Sequence, residues 1–530
     1  MSCLLLAIAA CVLIWLLLSI LPQFISTASW KQLNKWKGWA QGLQYLIRGP
    51  QIIDRAYVSA KGGSFKVTTP SNTHLMITSS ELINEVMDAP THILSLHAVA
   101  KELLQPKYTM RGFEWQDQRG VEGTGFVRAL RSRLTSHLPL LQPKLDRLVN
   151  EILREELTKD ESGAATRINL FPMVKRMVVK INCFVFFGKN LSIQVPSLSI
   201  FRQLSNVMHS TGQNTEFTTA ALEFPQTVIL AAECLRITPN LLRPLVAALV
   251  TRRHRAARTL FKYLEPIVQQ RLALRARTDE IKDKPVDCMQ WLIDTSPRQQ
   301  QWTAARMVGE IIAIWFSSVH QLAMTVTYAI EDICLHRDYA DPLRQELREQ
   351  KATKNGSIDV EELPLLDSFL KESIRYSNAD AISCRRKALQ DYILQDGSRI
   401  GKGDWVCIPQ RAMMQDPLKY SSPSTFDGFR FARANVSLCQ GNRTSDVPDE
   451  ARSKLTEASI HWPIWGLGKT ACPGRFYASL VLKLIVTQIL EEWECDMPDR
   501  KSARNMVWRS SVVPLERTEV VFWKQQGPKR

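Results

Sequence analysis

The sequence predicts a mainly α-helical chain with two small β-sheets, preceded by one membrane-spanning helix. Three observations support this fold class. The first thirty residues carry a nearly unbroken apolar run, several later segments place apolar residues at helical spacing, and two short segments combine strand-forming residues with turn signals. With 45% hydrophobic residues, the 530-residue chain can bury enough apolar surface to exclude disorder as its main state.

The apolar run at residues 4–21 is long enough to cross the hydrocarbon core of a bilayer, and Pro22 ends it. A cleaved signal peptide is the alternative, but it requires a basic segment before a shorter apolar run. Here the basic residues follow the run, beginning at Lys31. The positive-inside rule therefore predicts an uncleaved anchor with the body of the chain in the cytosol.

After the apolar run, the residue pattern predicts a small early hairpin, a long helical middle, a second strand-rich patch, a long surface loop and a final helix before a β-like tail. No Gly/Ser linker or repeat divides it, so we expect one anchor, residues 1–27, and one large domain, residues 28–530. The predicted hairpin covers 65–78, the helices 126–157, 171–187, 242–276, 303–336, 343–350, 363–376 and 477–492, the strand patch 384–409, the loop 430–462 and the tail 515–523.

Cysteine usage and charge exclude several classes of protein. The eleven cysteines are dispersed and never spaced as CxxC, which argues against a zinc ribbon, a redox dithiol or a secreted disulfide framework. The net charge of +16 suits an acidic redox protein or an anionic lipid surface equally well. We expect no nucleic-acid partner, because no basic run is interleaved with aromatic residues in a known module.

The most informative peptide is WGLGKTACPGRFYA, residues 465–478. Its glycines allow tight turns, and Pro473 suits the first position of the following helix. Cys472 would then lie at a helix N-terminus, where a lowered pKa favours the thiolate that a soft metal or a nucleophilic enzyme needs. Two other roles are open to Cys472. It could be an inert buried cysteine, or it could be a catalytic nucleophile, although no local signature ties a histidine to it.

This peptide resembles the haem-binding loop of the cytochrome P-450 superfamily, aromatic-x-x-Gly-x-x-x-Cys-x-Gly. The resemblance implies a P-450 fold in which Cys472 is the axial ligand of the iron of haem b. Trp465 stands where the family usually has phenylalanine, Gly468 and Gly474 match the two glycines, and Lys469 is the basic residue of the loop.

Glu372 and Arg375 form an ExxR pair on the predicted helix 363–376. Alone, such a pair at i, i+3 reads as an ordinary solvated ion pair. The resemblance implies instead a buried structural triad completed by Arg430, which supports the loop on the haem face. Removing one partner of such a triad would leave an uncompensated buried charge.

Two arginines are implied as contacts of the haem propionates, because a guanidinium binds carboxylates with two parallel hydrogen bonds. The family pattern points to Arg386, with Arg385 as the neighbour that could substitute. The second is expected from an early helix. Arg119 fits a WxxxR pattern but is followed at once by glycines, so Arg128 on the next helix is preferred.

The predicted helix 303–336 departs from the family. Members usually carry an acid and a threonine that relay protons to iron-bound dioxygen, whereas this chain has His320 in place of the acid and Gln321 in place of the threonine. Histidine titrates near neutral pH, and Ser317, Ser318 and Gln321 can hold water, so these four residues form the candidate relay. Polar residues satisfied within a buried helix are an equal alternative.

The resemblance, closest to fungal members that act on secondary metabolites, implies a monooxygenase in the endoplasmic reticulum membrane with its catalytic domain facing the cytosol. Electrons from NADPH would arrive through a separate flavoprotein reductase, since no GxGxxG follows a strand here. It would hydroxylate, epoxidise or desaturate a lipophilic substrate such as a terpenoid or indole alkaloid. The predicted pocket includes aromatic or apolar residues, namely Phe201, Met208, Phe217, Phe224, Trp315 and Phe316.

Two alternatives stay open. The first is a haem-thiolate isomerase or dehydratase, which rearranges an oxygenated substrate without a reductase. The second is a non-catalytic relative that binds haem and has lost the chemistry.

Overall fold

The computed structural model describes residues 30–113, 125–158, 165–188, 211–277, 284–297, 302–441 and 453–525. These residues fall into two compact units. One is formed within 100–139 and 175–320, and the other within 30–99, 140–174 and 321–525. The predicted anchor, residues 1–27, lies outside the described residues, and the division into an anchor and one domain stays a prediction.

Most of the described chain is helical. The helices are α1 Trp30–Ala60, α2 Ser80–Asp88, α3 Leu96–Leu104, α4 Pro106–Thr109, α5 Gly125–Ala129, α6 Thr135–Leu157, α7 Leu170–Phe187, α8 Thr211–Arg236, α9 Arg243–Val250, α10 Arg255–Arg277, α11 Cys288–Thr295, α12 Ala304–Leu335, α13 Ala340–Thr353, α14 Pro364–Tyr376, α15 Gln410–Met414, α16 Arg430–Cys439 and α17 Arg475–Glu492. A π-helical turn, Leu130–Leu134, joins α5 to α6.

The strands are short. They are β1 Phe65–Thr68, β2 Thr73–Met76, β3 Leu94–Ser95, β4 Thr166–Asn169, β5 Ser383–Ala388, β6 Tyr392–Ile393, β7 Arg399–Ile400, β8 Trp405–Ile408, β9 Trp493–Asp496, β10 Asn505–Trp508, β11 Ser511–Pro514 and β12 Glu519–Lys524. The mainly helical prediction is confirmed, as is the early hairpin, which β1 and β2 form.

One long predicted helix is interrupted. The apolar spacing of residues 242–276 predicted a continuous helix, but α9 ends at Val250 and α10 begins at Arg255. Between them, three consecutive residues from Arg252 to His254 have φ values of 50 to 59°. Thr251 stabilises this turn, because its hydroxyl donates to the carbonyl of Ala247 and accepts the N–H of His254.

The number of sheets also differs from the prediction. The strand-rich patch at 384–409 was expected to form a sheet of its own, but β5 and β8 join the early hairpin in a five-stranded sheet of order β1-β2-β8-β5-β3. Strand β2 pairs with β8 in parallel, with His74 opposite Trp405. The described residues contain three further sheets, β4-β12-β9, β10-β11 and β6-β7. Local patterns cannot reveal such pairings, because the partners are hundreds of residues apart.

The predicted surface loop at 430–462 is wrong at its start, where α16 forms. No side chain of its own caps this helix. Instead, the Ser368 hydroxyl on α14 accepts the N–H groups of Phe431 (3.1 Å) and Ala432 (3.0 Å). Phe431 and Ala434 are buried in a cluster with Trp462. A cap supplied by another helix and one buried face stabilise a segment whose local sequence looks irregular.

Helix α12 runs from Ala304 to Leu335 and contributes its residues up to His320 to one unit and the rest to the other. Among the described residues it is the one helix long and apolar enough to cross a bilayer. Most of its apolar window, 72%, is buried inside the protein, as expected for a core helix.

Candidate functional site

The Cys472 loop is a tight turn held by its own backbone. The N–H of Cys472 donates to the carbonyl of Trp465 at 2.6 Å, which closes the turn. Gly466 has φ 73° and ψ −178°, a conformation that essentially only glycine adopts, and Gly468 has φ 53°. Gly466, and to a lesser degree Gly468, are therefore favoured by the backbone path that presents the cysteine.

The helix after the cysteine begins later than predicted. Gly474 is the N-cap of α17 and Arg475 its first residue, so Pro473 precedes the helix rather than opening it. Burial raises the pKa of the Cys472 thiol, while the backbone N–H groups of Gly474 and Arg475 and the Arg475 guanidinium oppose that shift. The predicted lowering of this pKa is wrong for the free thiol, because burial outweighs the helix terminus. A bound metal cation would reverse this balance, since a coordinating thiol is deprotonated.

Two buried clusters hold the loop in place within its unit. The ring nitrogen of Trp465 donates to the carbonyl of Leu455 at 2.7 Å, and the ring packs against the cluster that contains Phe431 and Trp462. Leu467 is buried in the cluster formed by the five-stranded sheet. The loop therefore has one side chain anchored in each cluster.

Glu372, Arg375 and Arg430 form the triad that the resemblance implied. Nε and Nη2 of Arg375 each donate to the Glu372 carboxylate at 2.8 Å, and Nε of Arg430 donates to the same carboxylate at 3.2 Å. All three side chains are buried. The arginines also donate to four backbone carbonyls of the segment leading into α16, those of Met414, Ser421, Pro423 and Thr425. The triad therefore fastens that segment to α14.

Arg386 lies on β5 and is buried. Its Nη2 donates to the hydroxyl of Thr470 in the cysteine loop at 2.7 Å and contacts the Met87 sulfur at 3.3 Å. The neighbouring Arg385 is engaged elsewhere, with Asp380 at 2.5 Å. Arg386 is therefore the arginine that the fold brings to the cysteine loop, and Arg385 is held in an ion pair.

The residues present fit a haem iron. The loop offers a single soft thiol, with backbone N–H groups directed at its sulfur. A Cβ atom added at Gly468 or at Gly474 would meet nothing within 4 Å, so both glycines border open space. The buried guanidinium of Arg386, on β5 and bonded to Thr470 of the loop, is suited to a carboxylate. Thiolate donor, open glycine faces and a carboxylate-binding arginine are the features that an iron porphyrin requires.

The candidate relay lies on α12. Ser317 and Gln321 are the two exposed side chains of the stretch 317–322, while Ser318 and His320 are half-buried. The hydroxyl of Ser317 donates to the carbonyl of Ile314 at 2.8 Å. Both serine hydroxyls bond back to their own helix, since that of Ser318 donates to the carbonyl of Trp315 at 3.0 Å.

Asn182 holds the Ser318 position, and the sequence offered no signal for it. Its amide on α7 is fully buried and donates to both the carbonyl (3.1 Å) and the hydroxyl (3.3 Å) of Ser318. Because its hydroxyl proton and its carbonyl are both engaged, Ser318 is a fixed part of the helix and has less freedom to relay protons than Ser317.

Other predicted site residues have different surroundings. Arg128 on α5 and Lys469 in the loop are exposed. Their predicted haem contacts stay predictions, and Trp115 and Arg119 lie outside the described residues.

The predicted pocket aromatics pack as core. Phe217 and Trp315 are fully buried, and both rings contact Phe187, at centroid distances of 5.3 and 4.9 Å. Phe224 is also buried, and Phe316 is half-buried. These rings bury apolar surface against one another, so the pocket prediction is wrong for Phe217 and Trp315. Phe201 and Met208 lie outside the described residues.

Comparisons with known proteins agree with the haem site that the loop geometry indicates. The family model described as cytochrome P450 matches residues 56–522. The chain belongs to the cytochrome P450 family. As a P450, it is an enzyme of the oxidoreductase class, and its family implies haem iron as the prosthetic group.

Curated relatives of this P450 are named monooxygenases. Cytochrome P450 monooxygenase olcJ of Penicillium canescens is 26% identical over 484 residues, covering 90% of this chain and 84% of that protein. Cytochrome P450 monooxygenase janP of Penicillium janthinellum is 24% identical over 509 residues, covering 94% and 90%. Among solved structures, retinoic acid bound cyanobacterial CYP120A1 has a TM-score of 0.62 at 18% identity and covers 92% of this chain and 97% of that one. That likeness shows the P450 fold.

Proposed function

We propose that this P450 is a membrane-anchored monooxygenase in which the Cys472 thiolate would hold the haem iron. The observation that carries the proposal is the Cys472 loop itself. It combines a half-buried cysteine, backbone N–H groups directed at the sulfur, and glycines whose open faces admit a flat group. The bound haem would supply oxygen activation at a thiolate-ligated iron.

The surrounding residues bind and orient this group. Arg386 on β5 and Thr470 of the cysteine loop form a polar pair suited to one haem carboxylate, and Arg128 is the proposed partner of the second. Trp465 packs beside the ligand loop and keeps its backbone in place through the bond to Leu455. Glu372, Arg375 and Arg430 are structural and hold the segment that precedes α16.

Protons would reach the site through polar groups of α12. Ser317 and Gln321 are exposed and can bind water, and the imidazole of the half-buried His320 can both donate and accept a proton. Ser318 acts mainly by position, because Asn182 holds it. The relay proposed here therefore runs through water at Ser317 and Gln321 and through the imidazole of His320.

Electrons would come from NADPH through a separate flavoprotein reductase, and the net charge of +16 suits an acidic redox partner as well as it suits anionic lipid. Residues 1–27 would anchor the protein in the endoplasmic reticulum membrane with the catalytic domain in the cytosol. The substrate would be a lipophilic secondary-metabolite intermediate, such as a terpenoid or indole alkaloid, that this P450 hydroxylates, epoxidises or desaturates.

The test is the difference spectrum of the reduced, CO-bound protein in membranes. We expect the red-shifted Soret band of a thiolate-ligated haem in the wild type and its loss in Cys472→Ala. Cys439→Ala is the matched control, because Cys439 is exposed at the end of α16 and its loss should leave the band unchanged. A wild type without that band would show that the proposed ligation is wrong.

The isomerase or dehydratase alternative is separated by the electron requirement. Turnover of a monooxygenase needs NADPH and the reductase, whereas an isomerase or dehydratase works without either. A non-catalytic relative would show the thiolate band and no substrate-dependent consumption of NADPH.

A further inference from the structure

A short segment before the cysteine loop connects it to α14. We name residues 453–457 the strap. On the α14 side, the ammonium of Lys371 donates to the Ser453 hydroxyl, to the Lys454 carbonyl at 3.2 Å and to Glu457 at 2.6 Å. One turn away, Asp367 accepts the N–H of Leu455 at 2.8 Å. Four of the five strap residues are thus bonded to one face of α14.

The same strap holds the cysteine loop on both sides of Cys472. Its Leu455 carbonyl accepts the ring N–H of Trp465 at 2.7 Å, and its Thr456 carbonyl accepts Arg475 Nε at 3.2 Å. Arg475 in turn donates through Nη1 to the carbonyl of Cys472 at 3.2 Å. A displacement of the strap would therefore move groups that flank the ligand at both ends of the loop.

Lys371 is the buried charge of this arrangement. Its side chain is 1% exposed, and its ammonium lies 4.3 Å from the Trp462 ring centroid and 4.9 Å from that of Phe431. Burial alone would raise the pKa of Glu457, but the ion pair with Lys371, together with hydrogen bonds from Ser459 and Ser453, lowers that pKa. An isolated buried ammonium is very unfavourable, so its bonds to the strap are what make its burial tolerable.

The triad performs a different task from a neighbouring position. Glu372, the next residue on α14, accepts the N–H of Asp427, and Arg375 donates to the carbonyls of Met414 and Pro423. These contacts fasten the segment before α16, while Lys371 and Asp367 fasten the strap. One helix therefore anchors two separate segments through adjacent side chains.

We propose that Lys371 is a positioning residue for the Cys472 ligand: by holding the strap it keeps Trp465 and Arg475 in place, and so keeps the thiolate on the haem iron. The inference rests on the proposed role of Cys472. It assigns Lys371 a role that acts through the strap and involves no contact with substrate or haem.

The test uses Lys371→Met in the full chain, since methionine keeps an unbranched apolar stem and removes the ammonium. Two readouts are compared, the ratio of thiolate-bound to thiolate-free bands in the reduced CO spectrum and the hydrogen exchange of the Ser453 and Leu455 amides. Losing a hydrogen-bonded buried charge should lower the band ratio by about tenfold or more and speed exchange in the strap.

Arg344→Met is the matched control. Arg344 is also a buried cation of the same unit, bonded to the carbonyls of Leu490 and Trp493 and to Glu494. Arg344→Met should lower thermal stability without changing the band ratio or the hydrogen exchange of the strap amides. If Lys371→Met loses stability in the same way and keeps the wild-type band ratio, the positioning role is refuted and Lys371 is only structural.

Glu457→Gln is the second variant, for the case in which Lys371→Met does not fold. It keeps the side-chain shape and weakens the same attachment, so it should lower the band ratio in the same direction. The effects of Lys371→Met and Glu457→Gln should also be less than additive, and full additivity would contradict a shared attachment. A wild type without any thiolate band would refute the proposed function itself, a result distinct from an unchanged ratio in the variants.

Discussion

Glu372 and Arg375, one turn apart on α14, form a two-point ion pair in which both side chains are completely buried. Their isolation from water determines the energetics. A buried pair contributes little compared with well-packed apolar residues, but the loss of one partner leaves an uncompensated charge in the interior.

Glu372→Gln should therefore destabilise the protein strongly. The change leaves Arg375 and Arg430 buried without their counter-charge, and breaking such a pair costs about 3–5 kcal/mol. Thermal unfolding and the yield of haem-bound protein measure the effect. Asp391→Asn is the control, because the Asp391–Arg399 pair is exposed and its loss should not be measurable. Equal effects of the two variants would contradict the burial argument.

Gly466→Ala should disturb the cysteine loop more than Gly468→Ala. Gly466 has a backbone conformation almost restricted to glycine, and an added Cβ would lie 3.1 Å from the Thr470 carbonyl oxygen. Such strain costs about 1–3 kcal/mol. At Gly468 the φ is left-handed but the space is open, so only the smaller left-handed penalty of about 1–2 kcal/mol applies. The midpoint of thermal unfolding and the intensity of the thiolate band should rank the variants in this order, and the reverse order would contradict the loop geometry.

Glu331 should make stability depend on pH. Burial raises the pKa of Glu331 to about 8, although the nearby Arg504 opposes this shift. Arg504 also pairs with Asp332, and burial raises the pKa of Asp332 to about 6. Between the ordinary value of 4.5 and about 8, the folded protein holds a proton that the unfolded chain releases. Stability contributed by this group is therefore complete below pH 4.5 and is lost as the pH rises through 8.

Glu331→Gln removes this dependence while Asp332 remains. Above its own pKa, Asp332 no longer contributes to the change of stability with pH. The wild type and the variant are therefore compared between pH values of about 6 and about 8, where the free energy of unfolding of the wild type should fall by up to about 1.4 kcal/mol per pH unit. The apparent unfolding midpoint at both ends of that range measures it. Parallel curves for the wild type and the variant would show that Glu331 is ionised in the folded protein.

Gln321→Thr should raise the coupling of NADPH consumption to product. Gln321 is exposed on α12 and stands where the family usually has a threonine, so the substitution restores the usual hydroxyl. The ratio of product formed to NADPH consumed, and the peroxide released, measure the effect. Peroxide release equal to that of the wild type would show that Gln321 has no part in proton delivery.

Local signals in the sequence were sufficient for the parts of the site that local chemistry determines. The Cys472 loop is read from its glycines, and the pairing of Glu372 with Arg375 follows from helical spacing. Helix α12 was predicted within one residue at each end, because its apolar spacing is strong over many turns.

The remaining features depend on partners distant in the chain. Ser368 caps α16, Asn182 holds Ser318, and Lys371 is buried because Glu457 and two aromatic rings surround it. A lysine in a helix ordinarily indicates a solvated face, and nothing in its immediate neighbours shows otherwise. The sign of the pKa shift of Cys472 was missed for the same reason, because burial is a property of the folded environment.

The parallel pairing of β2 with β8 can form only after most of the chain has been synthesised. His74 meets Trp405, so one edge of β2 waits for a strand that the ribosome delivers about 330 residues later. At about 5–20 residues per second, the wait lasts on the order of tens of seconds. During that time the nascent hairpin presents an unpaired strand edge, a known template for aggregation. Production of this enzyme in a foreign host should therefore improve with chaperones that shield nascent strands.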